Sequence, residues 1–415
     1  MRARILIATV TAIAIGLGAC SQTPVGIFES IEREREILDD RNLDNDLHIG
    51  AIALAGGNYF VAAGSLMYRG RQDADYINND RQQWNRLTPP ADASGDYTAV
   101  SLVAFDPDGA GGPTTDQIYV VFRSQDGTAS GIYHVDPSGP ALDPVPLFGT
   151  GDAGVEAVED LFVVDDGSGD DVLLAAVRTG LSAYTLMFST SVDVSNFSDA
   201  PGMVTNQPVV SAFASAGNVV LLTPTTLYLD SDTLAGGTPA APLGLAPASG
   251  VRFSDVRYEV SGSLWWVSDG AGHLSTSPDL SAWTTNETAY AISPSNDDPL
   301  PFTAFIEIDT MVDNLLLVGT NGYGYRILGA DALVTPLSPI EDGSNYDASE
   351  LANAAILTWF FDDVADGVYD SYPVPTEPGA DPYTLHDGHM LFAGTSGVGL
   401  WHALTYDGPI QWVQE

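Results

Sequence analysis

The stretch that most constrains this chain is a short unit that occurs twice in nearly the same letters. Residues 314–328 read NLLLVGTNGYGYRIL, and residues 389–404 read HMLFAGTSGVGLWHAL. Each holds a hydrophobic run, a Gly-Thr-x-Gly-x-Gly turn and a second run of bulky or aromatic residues. Glycine reaches positive φ without steric cost, while β-branched and aromatic side chains suit a pleated surface. The unit therefore predicts two antiparallel strands joined by a tight turn.

From His48 onward the same order of strand, turn, strand, turn, strand returns seven times. The copies open at IGAIALAGG, AVSLVAF, VEDLFVV, VVSAFAS, FSDVRYEV, TAFIEID and AAILTWFF. With Gly64 and Gly397 as equivalent turns there are six steps across 333 residues, about 55 per unit, near the period of propeller blades. A blade of three or four strands leaves both faces bare, and stacking blades around an axis covers both while keeping every edge short. A pair of stacked sandwiches would also use short strands, but seven similar units without a linker argue for a ring. The expected fold is all-β: a seven-bladed β-propeller of short antiparallel strands occupying residues 48–415 as one domain.

Charge narrows the partners. There are 14 basic residues, all arginine, against 55 acidic ones, for a formal charge of −41. That balance repels the phosphates of nucleic acids and anionic lipid headgroups. It fits either a protein working in high salt, where screening removes most self-repulsion, or a cation-binding surface. The absence of lysine excludes Schiff-base chemistry, pyridoxal phosphate enzymes and a P-loop.

Met1–Cys20 reads MRARILIATVTAIAIGLGAC. Arg2 and Arg4 form a basic start, an apolar run follows that is too short to span a bilayer, and small residues lead to a cysteine. The LGAC segment resembles the lipobox of bacterial lipoproteins, which implies removal of residues 1–19 and acylation of Cys20. As Cys20 is the sole cysteine, the body has no internal disulfide. Ser21 follows it, rather than the aspartate that retains lipoproteins at the inner membrane, so the resemblance implies an outer-membrane, cell-envelope location. Residues 20–47 are expected to hold the lipidated cysteine, a tether, and one short amphipathic helix over Ile27–Asp40, whose apolar residues fall at helical spacing between Glu and Arg.

Two segments, SPDLSAW at 277–283 and SVDVSNF at 191–197, resemble the Asp-box (BNR-type) repeat of sialidase-like propellers, and Trp84 closes the first copy in a similar way. Both lack the glycine of that repeat and are one residue short. In that family the box is structural, with Ser and Asp capping a turn and the aromatic anchoring the returning strand.

For chemistry, Arg123 and Arg178 stand at corresponding strand ends, a possible carboxylate clamp set against ordinary ion pairing. Three Asp/Gly loops, at Asp106–Gly109, Asp165–Asp171 and Asp362–Asp366, could supply oxygens to calcium or be plain solvated turns. His386 and His389 form the one close histidine pair, and no zinc motif accompanies them. No nucleophile elbow or dinucleotide fingerprint is present, so no catalytic or metal residue is assigned and no cofactor is expected beyond possible calcium. The turns between second and third strands carry candidate ligand contacts: Asp269, His273, Asn321 and Tyr323, with Trp265, Trp266 and Trp401 nearby. Aromatics beside polar groups suit glycan or peptide binding, unless the tryptophans simply wedge blade against blade. The long insertion 362–387 is the second candidate for a contact surface. The leading expectation is a monomeric, lipid-anchored, non-catalytic binding or assembly platform for an envelope protein or glycan. A glycan-active enzyme of sialidase-like or hydrolase type is the alternative.

Overall fold

The computed structural model describes residues 43–415 apart from 44–46, 72–83, 91–96, 108–115, 153, 166–170, 182, 190–196, 216–217, 231–240, 287–300, 310–313, 329–333, 336–350, 363–388 and 406–410. The signal segment, Cys20, the Ile27–Asp40 helix and most of the 362–387 insertion lie outside the described residues.

Seven antiparallel sheets follow one another along the chain, each in simple up-and-down order. Blade 1 holds β1 (Ala51–Ala55), β2 (Asn58–Ala63), β3 (Ser65–Gly70) and β4 (Asn85–Arg86). Blade 2 holds β5 (Tyr97–Phe105), β6 (Gln117–Ser124), β7 (Ser130–Asp136) and β8 (Ala141–Leu142), with β9 (Phe148–Gly149) also paired to β7. Blade 3 is β10 (Ala157–Asp165), β11 (Asp171–Gly180), β12 (Ala183–Ser189) and β13 (Ser198–Thr205). Blade 4 is β14 (Ser211–Ser215), β15 (Asn218–Leu222), β16 (Leu227–Asp230) and β17 (Ala241–Pro242). Blade 5 is β18 (Phe253–Glu259), β19 (Leu264–Asp269), β20 (Leu274–Ser277) and β21 (Thr284–Asn286). Blade 6 is β22 (Phe302–Asp309), β23 (Asn314–Thr320), β24 (Tyr325–Leu328) and β25 (Val334–Thr335). Blade 7 is β26 (Ala355–Asp362), β27 (His389–Ser396), β28 (Leu400–Thr405) and β29 (Gln411–Gln414). The first strands touch one another in a closed cycle, including β1 against β26, so they encircle the axis. The expected seven-bladed propeller is what the chain forms.

The core is divided into seven clusters, one between each pair of adjacent blades. This explains why second strands are continuous hydrophobic runs rather than alternating ones. In β2, Tyr59 and Val61 enter the cluster shared with blade 7, while Phe60 and Ala62 enter the one shared with blade 2. Successive side chains point to opposite faces, and both faces are dry. Trp265 and Trp266 follow the same rule, serving the blade 4/5 and blade 5/6 clusters in turn.

The Gly-Thr-x-Gly-x-Gly turn is explained position by position. A Cβ on Gly394 would come within 2.7 Å of the Ile49 side chain, and one on Gly319 within 3.1 Å of the Ile356 carbonyl oxygen, so this glycine lets the next blade's first strand approach. Thr395 Oγ1 donates to Gly399 O at 2.7 Å, and Thr320 Oγ1 to Gly324 O at 2.8 Å, closing the loop. Gly397 and Gly399 have φ of 85° and 74°, which a Cβ would strain.

Four of the turns between second and third strands, in blades 1, 4, 6 and 7, also share a backbone bond with the next blade. Ala99 N donates to Gly64 O (3.2 Å), Phe253 N to Pro224 O (2.9 Å), and Gly324 N to Ala354 O (3.1 Å). The seam between blades 7 and 1 repeats it, with Ile49 N on Thr395 O (3.0 Å) and Gly397 N on Leu47 O (3.3 Å). Among the described residues no strand is exchanged across this seam, and all four strands of blade 7 are consecutive. Side chains from β3 and the residue after it complete the closure. Arg69 Nη2 meets Glu415 Oε1 at 2.6 Å, and Arg69 is fully buried among the rings of Tyr59, Trp84 and Phe392. Glu415 also contacts His402 Nδ1 (2.7 Å) and accepts from Trp84 Nε1 (3.2 Å). Arg71 donates twice to Asp362, at 2.5 and 2.8 Å, and the Tyr59 hydroxyl donates to the same carboxylate at 2.5 Å.

Burial alone would push the Glu415 carboxyl up, but the Arg69 guanidinium and His402 hold it down, to about 2. A depressed carboxyl contributes stability that is whole above its unfolded value of 4.5 and is lost as pH falls toward 2. At 1.36 kcal/mol per unit this amounts to roughly 3 kcal/mol. Asp160 has the opposite sign: burial raises it to about 6 despite its bond from Ser101, so its charged form costs stability as pH rises from 3.8 to 6. Chemical denaturation against pH should therefore show a maximum at roughly pH 4–5 and a fall below it. Glu415→Gln should flatten the acid limb and lower neutral stability by about 3–5 kcal/mol, as expected when one partner of a buried ion pair is removed. Gly394→Ala, which forces the seam apart, should cost about 2 kcal/mol in the same assay.

Candidate functional site

The turns between second and third strands lie on one rim of the ring, where those of blades 1, 4, 6 and 7 bond residues at the start of the next blade. In blade 5 this turn is Asp269-Gly270-Ala271-Gly272-His273, and its aspartate organises everything around it. Asp269 Oδ1 accepts from Ala271 N (2.9 Å) and His273 N (3.0 Å), which fixes the turn. Oδ2 accepts from Ala248 N (3.2 Å), tying in the segment that leads from blade 4, and lies 3.3 Å from His273 Nδ1.

Between this turn and the Ala246–Ser249 segment is a recess of about 540 Å³. Ala246, Pro247, Phe253 and Val267 give it apolar walls; His273, Ser275 and Thr285 give it polar ones. Ser275 and Thr285 share a hydroxyl–hydroxyl hydrogen bond of 2.9 Å. With Nδ1 committed to Asp269, the His273 ring is held in one orientation and Nε2 is the nitrogen left to a ligand. A few fixed polar groups on apolar walls are the usual make-up of a small-molecule site.

Of the expected contacts, Asp269 and His273 are brought together here. Trp265, Trp266 and Trp401 are 2%, 1% and 1% exposed. They are blade wedges, and the Trp401 indole donates to Val398 O at 3.0 Å. Of the two readings open for them, ligand contact or wedge, their burial agrees with the wedge. Asn321 is exposed on the corresponding turn of blade 6, bridged to Ala355, while Tyr323, with φ 70°, packs half-buried on the cluster that holds Trp266 and Leu274. Sequence reasoning missed Ser275, Thr285 and the 246–249 segment. Strand parity carried a signal for the first two: Ser275 pairs with both Val267 and Thr285, which puts it on the face of Asp269.

Arg123 and Arg178 do converge, but on a carboxylate of the chain itself. Arg123 Nη2 lies 2.6 Å and Arg178 Nε 3.4 Å from Glu159, the ion-pairing outcome rather than an open clamp. Asp362 of the third Asp/Gly loop is occupied by Arg71 and Tyr59. Asp106, Asp116 and Asp171 of the other two loops sense one another, and Asp116 is pushed up to about 6 by burial and then by those two charges. Among the described residues no group of three or more His, Cys, Asp or Glu is placed to hold a metal ion. In the SPDLSAW segment Asp279 Oδ1 accepts from Ser281 N (3.0 Å) and Oγ (2.7 Å), and Trp283 packs on the blade 4/5 cluster. Capping and anchoring are what those residues do.

No family model and no curated protein matches the chain. Among solved structures it is similar to YCF48 from Cyanidioschyzon merolae, at 11% identity and a TM-score of 0.49, over 87% of this chain and 96% of that one. It is also similar to a structure described as the Dos1 propeller, at 16% identity and a TM-score of 0.45, over 65% of each chain. At such identities the likeness concerns architecture alone.

Asp269→Ala removes the acceptor of three backbone amides at once, and unmet buried donors cost about 1–3 kcal/mol. The variant should lose about 2 kcal/mol, with hydrogen exchange of the Ala248, Ala271 and His273 amides accelerating before that of the second strands.

Proposed function

We propose that this chain is a lipid-anchored envelope protein whose propeller binds a ligand at the blade 4/5 recess without transforming it. The recess carries the proposal. Its histidine and its rim are fixed by one aspartate and its hydroxyl pair by a mutual hydrogen bond, so binding would spend little on ordering the site. An imidazole and two hydroxyls beside a phenyl ring suit the hydroxyls and flat faces of a sugar, or a short peptide, better than a charged ligand. A propeller body is a common support for such binding or scaffolding.

The sialidase-like alternative gains nothing from this geometry. Arg123 and Arg178 spend their charge on Glu159, and the oxygens of Asp269 are engaged by backbone amides. An acid or nucleophile would have to come from elsewhere.

Residues 21–415 should be screened on glycan and peptide arrays, with binders measured by calorimetry against His273→Ala. The expected result is saturable binding weakened at least tenfold in the variant, with an unchanged melting temperature. Indifference of every binder to His273, or turnover of glycan reporters by the pure protein, would overturn the reading.

The anchor rests on the LGAC motif and is tested separately. Labelled palmitate should enter the full-length protein in a bacterial host and not its Cys20→Ser variant, which should move to the soluble fraction. Equal membrane association of both would remove the anchor.

A further inference from the structure

Arg257, on the inner strand of blade 5, is placed unlike Arg69, Arg71, Arg123 and Arg178, and unlike Arg326, which donates to the Tyr323 and Tyr325 carbonyls. Arg69 and Arg71 are locked to carboxylates, and Arg123 and Arg178 share one. The guanidinium of Arg257 instead lies over the ring of Phe213 on β14, with Cζ 4.3 Å from its centroid. Its Nε is buried without a hydrogen-bond partner. Among the described residues no carboxylate comes within ion-pairing distance of it.

The charges around it are spoken for. Asp255 accepts from Ser211 Oγ (2.5 Å), Phe305 N (2.7 Å) and Val256 N (2.8 Å), a knot joining the inner strands of blades 4, 5 and 6. Glu307 accepts from Val260 N (3.0 Å) and Ser261 N (3.2 Å) at the far turn of blade 5. Both act on Arg257 only through space, and burial pushes its guanidinium down and the Asp255 carboxyl up. The residue as a whole is half-buried, with Nε covered. Beside it every residue of β14, from Ser211 to Ser215, is half-exposed. The inner strands encircle the axis, so this accessible surface belongs to the axial channel.

A planar cation stacked on an aromatic ring, with its donors unspent, is a ready acceptor of a carboxylate. The chain's large negative charge disfavours a multiply charged anion, and the Phe213 ring offers an apolar surface for an uncharged body. We propose that Arg257 and Phe213 form a second binding site, in the channel, for a monocarboxylate with an apolar or aromatic body.

Calorimetry of residues 21–415 with benzoate, acetate and inorganic phosphate at constant ionic strength tests this. The proposal requires one-site saturable binding of benzoate, weaker binding of acetate, and at least a tenfold rise in Kd for benzoate in Arg257→Gln and Arg257→Lys. The exposed Arg252→Gln and the recess variant His273→Ala should bind benzoate as the parent does, so this site and the recess stand or fall separately. Arg257→Lys keeps the charge and carries the comparison if Arg257→Gln does not fold. Absence of saturable benzoate binding, equal affinity in all variants, or tighter binding of phosphate than of benzoate would overturn it. Arg257 would then serve only to balance Asp255 and Glu307.

Discussion

A ring of blades is only as sound as its closure, and among the described residues this ring closes without a shared strand. The repeated backbone bond between a turn and the next inner strand is present at the seam, yet one such bond contributes only about 1 kcal/mol net. What distinguishes the seam is a pair of buried guanidinium–carboxylate contacts, Arg69 with Glu415 and Arg71 with Asp362, set among Tyr59, Trp84 and Phe392. Buried ion pairs add little over well-packed apolar residues, but breaking one leaves a charge stranded in a dry interior. Their larger effect is on register: a carboxylate with two donors and a hydroxyl on it accepts one placement of blade 7 against blade 1.

Elsewhere the interfaces are held by shape. Each second strand feeds two clusters with alternate side chains, so removing one residue opens a void in one interface and leaves the other intact. Inner strands add polar ties across blades where bulges interrupt their pairing. The shift between Phe253 and Asp255 in β18 lets Asp255 reach both neighbouring blades, and the shift between Val158 and Asp160 in β10 accompanies the bond between Asp160 and Ser101. These ties fix the width of the channel in which Arg257 sits.

Much of this architecture was legible in the sequence because it rests on local rules. Turn glycines, the hydrophobic runs of second strands and the spacing of about 55 residues are set by φ, pleat and blade size, and all seven units could be marked from them. The partners of the arginines were not legible, because Arg69 and Glu415 are joined by a closure 346 residues long that no local pattern encodes. The candidate site was half legible. Asp269 and His273 stand out as turn residues, but Ser275 and Thr285 look like ordinary strand hydroxyls, and the 246–249 segment like a linker. The tryptophans were ambiguous for a physical reason: the same large ring that serves a ligand also fills a wedge between diverging sheets, and only burial tells the two apart.

The placement of the arginines has a further consequence. Arg69, Arg71 and Arg326 are buried, Arg257 is half-buried in the channel wall, and Arg123 and Arg178 are bound to Glu159. With 14 arginines in all, few are left to intersperse with the 55 acids, so the exterior is nearly of one sign. Two copies approaching one another meet mutual repulsion whichever sides they present, and the short outer strands gain protection from pairing edge to edge. Any binding partner must displace a condensed layer of cations before it touches the rim, which makes the affinity of such a complex a function of the surrounding electrolyte.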